Sequence, residues 1–473
     1  MLKRLQSLQF LKTADCSSLE EVFDMEGINV KEAVAVTQLS KLILQFLPKV
    51  KQIWNKEPHR ILTFQNLKSV MIDQCQRLKN LFPASLVRDL VQLQELQVWS
   101  CGIEVIVAKD NGVETTAKFV FPKVTSLRLS HLHQLRSFYP GAHTSQWPLL
   151  KELKVRECPE VNLFAFETPT FQQIHHMGNL DMLIHQPLFL VQQVAFPNLE
   201  ELTLDYNNAT EIWQEQFPVN SFCRLRVLNV CEYGDVLVVI LSFMLQRLHN
   251  LEKLNGKRCS SVKEIFQLEG HDEENQAKML GRLREIWLRD LPGLTHLWKE
   301  NSKPGLDLQS LESLEVWNCD SLINLTPCSV SFQNLDTLDV WSCGSLRSLI
   351  SPLVAKSLVK LKKLKMGGSH MMEVVVENEG GEGADEIVFC KLQHMVLLCL
   401  PNLTSFSSGG YIFSFPSLEH MVVEECPKMK IFSSGPITTP RLERVEVADD
   451  EWHWQDDLNT TIHNLFMRTH GMY

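Results

Sequence analysis

The stretch Leu93-Gln-Glu-Leu-Gln-Val-Trp-Ser-Cys101 contains a pattern, L-x-x-L-x-L-x-x-C/L, that recurs along the whole chain. Counting its first leucine as position 0, positions 0, 3 and 5 are apolar in nearly every copy. Sixteen units share the pattern, and most begin 24 to 32 residues after the previous one. Their first residues are Leu8, Leu39, Leu67, Leu93, Val124, Leu150, Leu199, Leu225, Leu251, Leu283, Leu311, Leu335, Leu361, Leu392, Leu418 and Leu442.

The alternation of positions 3 and 5 predicts a short strand with both side chains pointing inward. One unit cannot enclose a core, so neighbouring units have to stack. This spacing is the leucine-rich-repeat signature. It predicts an α/β leucine-rich-repeat solenoid, or horseshoe, of about 16–17 repeats, with a concave parallel β-sheet and an irregular or short helical convex side.

The repeat spacing also suggests the domain boundaries. We expect residues 1–448 to form the leucine-rich-repeat domain and residues 449–473 to form a C-terminal cap or tail. The one long step, from Leu150 to Leu199, predicts an irregular unit near residues 165–195, with a degenerate repeat around Ile174 to Ile184.

Composition argues against several classes of protein. The net charge of −10 over 473 residues disfavours a nucleic-acid or anionic-membrane partner. The longest apolar run, Val236 to Leu245, is too short to span a bilayer. The first residues lack the apolar core of a signal peptide, so we expect a cytoplasmic protein, with a nuclear location or attachment to a membrane through its partners as the alternatives.

Thirteen cysteines occur, and eight of them occupy position 8 of a unit. Cysteine at that place is expected to act as a small buried group where the chain leaves the strand. This role explains the cysteines without disulfides or zinc and favours a reducing compartment. The eight are Cys16, Cys75, Cys101, Cys158, Cys259, Cys319, Cys343 and Cys426.

Motifs for catalysis are missing from the sequence. It has no phosphate loop, no H-E-x-x-H, no G-x-S-x-G and no paired C-x-x-C. The acidic stretch Asp449 to His453 is better interpreted as a solvated cap than as a metal site. We therefore expect no enzyme activity, no catalytic residues, no cofactor and no metal.

Three tryptophans are candidates for a recognition surface. Trp287 at position 4, and Trp317 and Trp341 at position 6, fall in consecutive units and should lie close together on the concave face. Clustered exposed aromatic side chains are typical anchors of protein interfaces. The alternative is that each ring packs over the neighbouring strand and has only a structural role.

A change of charge lies beside these tryptophans. Two acidic rows precede a basic one, and such a dipolar patch could orient a charged partner. The alternative is mutual neutralisation of exposed side chains. The acidic rows contain Glu312, Glu315, Asp336 and Asp339, and the basic row contains Lys362, Lys363 and Lys365. The candidate protein-interaction residues are Trp287, Trp317, Trp341, Glu315, Asp339, Lys363 and Lys365.

Several units carry a more specific pattern. Phe196 to Leu202 reads Phe-Pro-x-Leu-x-x-Leu, Leu291 to Trp298 reads Leu-Pro-x-Leu-x-x-Leu-Trp, and Val316 to Leu322 reads Val-x-x-Cys-x-x-Leu. The closing segment runs from Trp454 to Phe466. Together they resemble the C-terminal repeat region of plant coiled-coil nucleotide-binding leucine-rich-repeat disease-resistance proteins, over essentially the whole chain.

This resemblance implies an intracellular plant immune receptor. In that family the repeats sense pathogen effectors, directly or through a guarded host protein, and hold a nucleotide-switch domain inactive. The coiled coil and nucleotide-binding domain are missing from this chain, so ATP binding does not carry over. The implied partners are an effector or guarded protein, and the nucleotide-binding domain of the same receptor if full length. The alternatives are a free-standing scaffold or decoy, the substrate-recognition part of a ubiquitin-ligase adaptor, and an extracellular repeat receptor.

Overall fold

The computed structural model describes most of the chain, in fourteen segments. The chain divides into two compact units, Met1–Gly234 and Asp235–Tyr473. The described residues are 7–23, 35–54, 62–110, 117–141, 143–165, 187–190, 196–207, 217–233, 236–267, 280–297, 308–325, 330–378, 385–448 and 451–470.

In the first unit, each coil contributes one strand to a parallel sheet whose strands follow chain order. The register is unbroken; Leu96, for example, pairs with Leu127 and Leu127 with Leu153. The strands are β1 (Phe10–Ala14), β2 (Lys41–Gln45), β3 (Ser69–Asp73), β4 (Glu95–Trp99), β5 (Ser126–Ser130), β6 (Glu152–Arg156), β7 (Glu201–Asn207) and β8 (Val227–Tyr233).

The second unit repeats this arrangement and ends with one antiparallel strand. Its parallel strands are β9 (Lys253–Lys257), β10 (Glu285–Arg289), β11 (Ser313–Trp317), β12 (Thr337–Trp341), β13 (Lys363–Gly367), β14 (His394–Leu398), β15 (His420–Glu424) and β16 (Val445–Ala448). Strand β17 (Glu451–His453) pairs antiparallel with β16.

The predicted leucine-rich-repeat solenoid is confirmed, because each of the sixteen predicted units supplies one parallel strand of these sheets. Most position 3 and position 5 side chains are buried, as Leu96 and Val98 show, whereas Leu11, Thr13 and Val447 in the terminal units are half-buried. The degenerate repeat predicted around Ile174 to Ile184 lies outside the described residues. However, β6 and β7 pair directly, with Leu153 opposite Leu202, so no strand of the sheet separates them.

Short parallel strands also form where the sequence predicted irregular or short helical structure. One set follows the turn, and a separate set precedes the first leucine of the next unit. Identical backbone paths in stacked coils place N–H and C=O groups opposite each other, so ladder hydrogen bonds form there too. These strands are Glu21–Phe23, Ala35–Val36, Gln52–Trp54, Leu62–Thr63, Asn80–Pro83, Val105–Ala108, Ala117–Val120, His143–Gln146, Phe164–Ala165 and Phe189–Leu190 in the first unit. In the second unit they are Val238–Ile240, Glu264–Phe266, Ser348–Ile350, Val374–Val376, Glu386–Val388, Ser405–Ser407, Ile412–Ser414 and Ile437–Thr438.

Within the described residues, the helices are short except for the last one. They are α1 (Ala84–Val87), α2 (Ser242–Leu245), α3 (Pro352–Ser357) and α4 (Leu458–Thr469). Asp457 caps α4 by accepting the Thr460 backbone N–H at 2.9 Å. Within the described residues, we find no helix with the length and apolar character needed to cross a bilayer.

An aromatic residue three positions before the first leucine fills the core of many coils. Phe121 stacks on Trp147 with ring centroids 4.1 Å apart, and Phe389 stacks on Phe415 at 5.2 Å. These rings bury large apolar areas and join one coil to the next. The buried aromatic residues at this position are Phe64, Phe121, Trp147, Phe196, Phe222, Phe332, Phe389 and Phe415.

Most strands have a left-handed turn at position 7. Non-glycine residues there have φ between 43° and 57°, as Gln74 and Asn318 show. The strain of this conformation is offset by a hydrogen bond, because the position 7 N–H donates to the position 6 carbonyl of the next coil. For Asn318, the acceptor is the Trp341 carbonyl oxygen at 2.8 Å.

The position 8 cysteines complete the same turn. All eight donate from Sγ to the carbonyl two residues earlier, over 3.0 to 3.5 Å. Six are buried as predicted, whereas Cys426 is half-buried and Cys16 is exposed. The twelve cysteines that the structure describes are free thiols.

Candidate functional site

Four consecutive strands of the second unit, β10 to β13, bring all seven sequence-predicted interaction residues onto one solvent-facing surface. In the position 4 row, Trp287 pairs in register with Glu315, Glu315 with Asp339, and Asp339 with Lys365. In the position 6 row, Trp317 pairs with Trp341. Lys363 lies on β13 at position 2. We call these seven residues the tryptophan patch.

Trp317 and Trp341 pack against each other and against the flanking strands. Their ring centroids lie 6.4 Å apart with an interplanar angle of 61°. Arg289 places its Cζ atom 4.3 Å from the centre of the Trp317 ring, a cation–π distance. Both rings are half-buried, so they have a packing role whatever else they do.

Trp287 differs from the other two tryptophans because it is 39% exposed. It lies on the rim of a surface depression of about 540 Å³, which also includes Glu285, Thr337 and Lys362. A large exposed indole beside a depression is the kind of anchor that protein partners bury. The assignment of these tryptophans to an interface remains a prediction.

Asp339 is buried, with 9% of its surface exposed, although the sequence suggested a solvated acidic row. Burial raises the pKa of its carboxyl group, and the Glu315 charge raises it further. The indoles of Trp341 and Trp317 and the charge of Lys365 act in the opposite direction. Among the described residues, Asp339 Oδ1 and Trp317 Nε1 have no hydrogen-bond partner. The two tryptophans thus cover a carboxylate whose burial is only partly offset by neighbouring hydrogen-bond donors and charges.

The acidic rows are largely neutralised by ion pairs between coils. Arg289 contacts the Glu315 carboxylate at 3.1 Å, and Arg284 contacts Glu312 at 3.5 Å. Lys362 binds Asp336 at 2.5 Å. Sequence reasoning missed the two arginines, although their places at positions 1 and 6 of the preceding unit were a usable signal.

Lys363 and Lys365 differ from Lys362. In the part of the chain that the structure describes, neither amine lies within ion-pairing distance of a carboxylate, even though Lys365 is in register with Asp339. The dipolar patch suggested by the sequence is therefore reduced to a basic edge, because most of its acidic side is already paired.

Two histidines extend this basic edge and were missed by sequence reasoning. His394 on β14 and His420 on β15 continue the position 2 row from Lys363. Their rings stack in parallel, with centroids 4.8 Å apart and an angle of 3°. Position 2 faces outward in every unit, so their places in the pattern were sufficient to find them.

The first unit contains a charge cluster that differs from this basic edge, because each of its charged groups has a partner of opposite charge. Arg128 binds Glu152 through two nitrogens at 2.8 and 2.9 Å, and Ser126 donates to the same carboxylate at 2.6 Å. Lys154 bridges Glu152 at 2.6 Å and Glu201 at 2.9 Å. Since these charges satisfy one another, the cluster stabilises the stack and leaves little for a partner to bind.

No group of three or more metal-binding side chains occurs among the described residues. In the acidic stretch at the C-terminus, Asp449 and Asp450 lie outside the described residues. His453 Nε2 contacts the Glu451 carboxylate at 3.1 Å, and its Nδ1 lies 3.0 Å from Arg468 Nη1. These contacts connect β17 to α4.

Comparison with known proteins places the chain in a family. The model of plant disease resistance protein RPS2-like leucine-rich repeats matches residues 1–102, 198–331 and 329–448, which is well over half of the chain. A probable disease resistance protein of Arabidopsis thaliana is 33% identical over 137 residues, covering 28% of this chain and 14% of that protein. The match therefore spans only a small part of that relative's length.

Solved structures with stacked repeats are also similar. An internalin, InlF, from Listeria monocytogenes aligns with a TM-score of 0.33 and 12% identity, over 84% of this chain and 88% of its own. The plant peptide hormone receptor RGFR1, solved in complex with RGF2, aligns with a TM-score of 0.22 and 13% identity, over 93% and 88% of the two chains. These scores are too low to add to what the coils and the family model show. The chain belongs to the plant disease resistance protein RPS2-like leucine-rich-repeat family.

Proposed function

We propose that this chain is the protein-binding recognition and autoinhibitory module of an intracellular plant immune receptor. In this role it senses a pathogen effector or a guarded host protein in the defence response. It also contacts the nucleotide-binding domain of the receptor until that partner arrives. The chain itself performs no catalysis in this proposal and needs no cofactor.

The observation that carries the proposal is the tryptophan patch. An exposed Trp287, two half-buried indoles and the unpaired amines of Lys363 and Lys365 share one surface of four adjacent strands. Aromatic side chains supply binding energy at low conformational cost, and unpaired charges give selectivity. Rigid strands hold these groups in fixed rows, which reduces the entropy lost on binding.

The mechanism is a shift of population between two states of the receptor. A partner can change that equilibrium only by its difference in affinity for the two states. If an effector and the nucleotide-binding domain compete for the tryptophan patch, effector binding releases the inhibitory contact. A difference of about 5.5 kcal/mol would convert a receptor that is almost entirely inactive into one almost entirely active.

The experiment is quantitative capture of partners from leaf tissue that expresses the chain. The patch variant carries Trp287→Ala and Lys363→Glu. The matched control carries Trp99→Ala on β4 and Lys41→Glu on β2, a half-buried tryptophan and an exposed lysine on the sheet of the first unit. We expect a defined set of proteins to be lost from the patch variant and retained by the control.

Recovery of a nucleotide-binding domain within that set supports the autoinhibitory role. Recovery of other proteins alone supports sensing without autoinhibition. If both variants capture the same proteins as the natural chain, the tryptophan patch is not the recognition surface and the proposal fails.

A further inference from the structure

Four side chains of the second unit form a continuous row of positive or protonatable groups. They are Lys363 and Lys365 on β13, His394 on β14 and His420 on β15, and we call them the basic strip. Lys363, His394 and His420 are register partners on three adjacent strands. Lys363 and His420 are exposed, whereas Lys365 and His394 are half-buried. Three rungs of a parallel sheet extend over about 10 Å.

The basic strip is set apart because none of its four members forms an ion pair in the part of the chain that the structure describes. Carboxylates do lie nearby, since Asp339 is the register partner of Lys365 and Glu446 that of Val422. Several other basic side chains of this sheet bind a carboxylate of a neighbouring coil, as Lys253 binds Glu285 at 2.7 Å. Glu419, the acidic group beside His420, is itself held by Arg441 at 3.1 Å. The chain has a net charge of −10, so carboxylates are abundant overall, and their absence from this row is a local property.

The members of the basic strip lie close enough to repel one another. Partial burial lowers the pKa of His394, and the neighbouring charges of His420, Lys363 and Lys365 lower it further. The charge of Glu419 opposes them without reversing the shift. Positive groups held this close destabilise one another, and an anion that approaches them offsets the repulsion.

An apolar border accompanies the strip. Val396 and Val422 are register partners at position 4 of β14 and β15, directly beside the two histidines, and both are half-buried. A segment lying over the strip would therefore place acidic groups on the lysines and histidines and a small apolar group on the valines. A polypeptide offers this combination, whereas a free phosphate or a nucleic-acid backbone does not.

We propose that the basic strip binds an acidic segment of a partner protein. The inference rests on the proposed recognition function and names the chemistry of the partner. Carboxylates of the segment form charge-assisted hydrogen bonds with the lysine amines and the protonated imidazoles. Because anion binding favours the charged form of the histidines, the complex takes up protons and tightens as the pH falls.

The test is direct binding of fluorescently labelled hexaglutamate to the full chain, measured by anisotropy at low salt. We expect Lys363→Glu with Lys365→Glu to weaken binding about tenfold or more. Lowering the pH from about 7.5 to about 6 should tighten binding to the natural chain. The same change should have little effect on a chain with His394→Gln and His420→Gln. The Lys41→Glu variant is the matched control and should bind like the natural chain.

Two results would overturn the inference. One is hexaglutamate binding that is absent or is unchanged in the lysine variant. The other is tighter binding of a single-stranded oligonucleotide than of hexaglutamate, which would indicate a nucleic-acid partner. The proposed function is tested separately by Trp287→Ala alone, which leaves Lys363 in place. If that variant captures all natural partners while hexaglutamate binding follows the strip, the acidic-segment site stands and the tryptophan patch does not.

Discussion

The ring of Trp341 lies against the backbone of Gly367, its register partner on the next strand. A Cβ atom built at Gly367 would lie 2.3 Å from Trp341 Cζ3 and 2.7 Å from the Leu398 carbonyl oxygen. Both distances are far below van der Waals contact, and the carbonyl belongs to the backbone of β14. The indole of Trp341 can therefore cover the sheet only because residue 367 has no side chain.

Gly367→Ala should accordingly destabilise the second unit. We expect a loss of about 1–3 kcal/mol, because the added methyl group displaces the indole or separates two strands. Urea unfolding followed by tryptophan fluorescence measures both the stability and the change around Trp341. Gly410→Ala is the matched control, since a Cβ there meets nothing within 4 Å. Equal midpoints for the two variants would show that Trp341 is free to move aside.

Glu152 should make the stability of the first unit depend on pH. Burial alone would raise the pKa of its carboxyl, but hydrogen bonds from Lys154, Ser126 and Arg128 outweigh burial and lower it from 4.5 to about 2. A lowered folded-state pKa stabilises the protein above the ordinary value, and this stabilisation is lost as the pH falls from about 4.5 towards 2. Because the cluster faces solvent, we expect a contribution of about 1–2 kcal/mol.

The measurement is the urea midpoint of the natural chain and of Glu152→Gln across this range. The variant should be less stable at neutral pH, and the difference should shrink steadily as the solution becomes acidic. Glu104→Gln serves as the control, since Glu104 forms an exposed ion pair with Lys79 at 2.7 Å. A difference that persists unchanged at low pH would mean that Glu152 acts through packing and not through its charge.

Asn459 secures the terminal helix to the coil that begins at Leu418. Its Oδ1 accepts the backbone N–H groups of Phe432 and Ser433 at 2.8 and 3.0 Å, and its Nδ2 donates to the Ser433 carbonyl at 2.9 Å. Phe432 and Ser433 are both buried, so Asn459→Ala leaves their backbone groups without these hydrogen-bond partners. We expect a cost of about 2–3 kcal/mol.

Hydrogen exchange locates the effect of this substitution. In Asn459→Ala, the amides of residues 432 and 433 should lose protection while those of the first unit stay unchanged. Asn464→Ala is a suitable control, because Asn464 contacts Gln455 at 2.5 Å on an exposed side of α4. Retained protection at residues 432 and 433 would contradict the capping role of Asn459.

The strands and their outward rows could be predicted because the leucine spacing determines which side of a strand each residue faces. That information was enough to predict that Trp287, Trp317 and Trp341 lie on one surface. It could not predict the burial of Asp339, which depends on how two rings fold over a neighbouring strand. Likewise, the left-handed turn at position 7 has no residue signature, since Gln74, Ser100 and other unrelated types adopt it. That turn is imposed by the hydrogen bond to the next coil.

The six buried position 8 cysteines should resist alkylation in the folded chain. Burial raises the pKa of the Cys158 thiol from 9.0 to about 12, so its thiolate fraction falls about a thousandfold. Cys16 and Cys390 are exposed, and iodoacetamide should label them first. Peptide mass spectrometry after timed labelling gives each rate, and a sample unfolded in urea shows the rate of each thiol without protection. If Cys158 reacts as fast as Cys390 in the folded chain, the coil around β6 opens readily and the turn hydrogen bond of Cys158 adds little to stability.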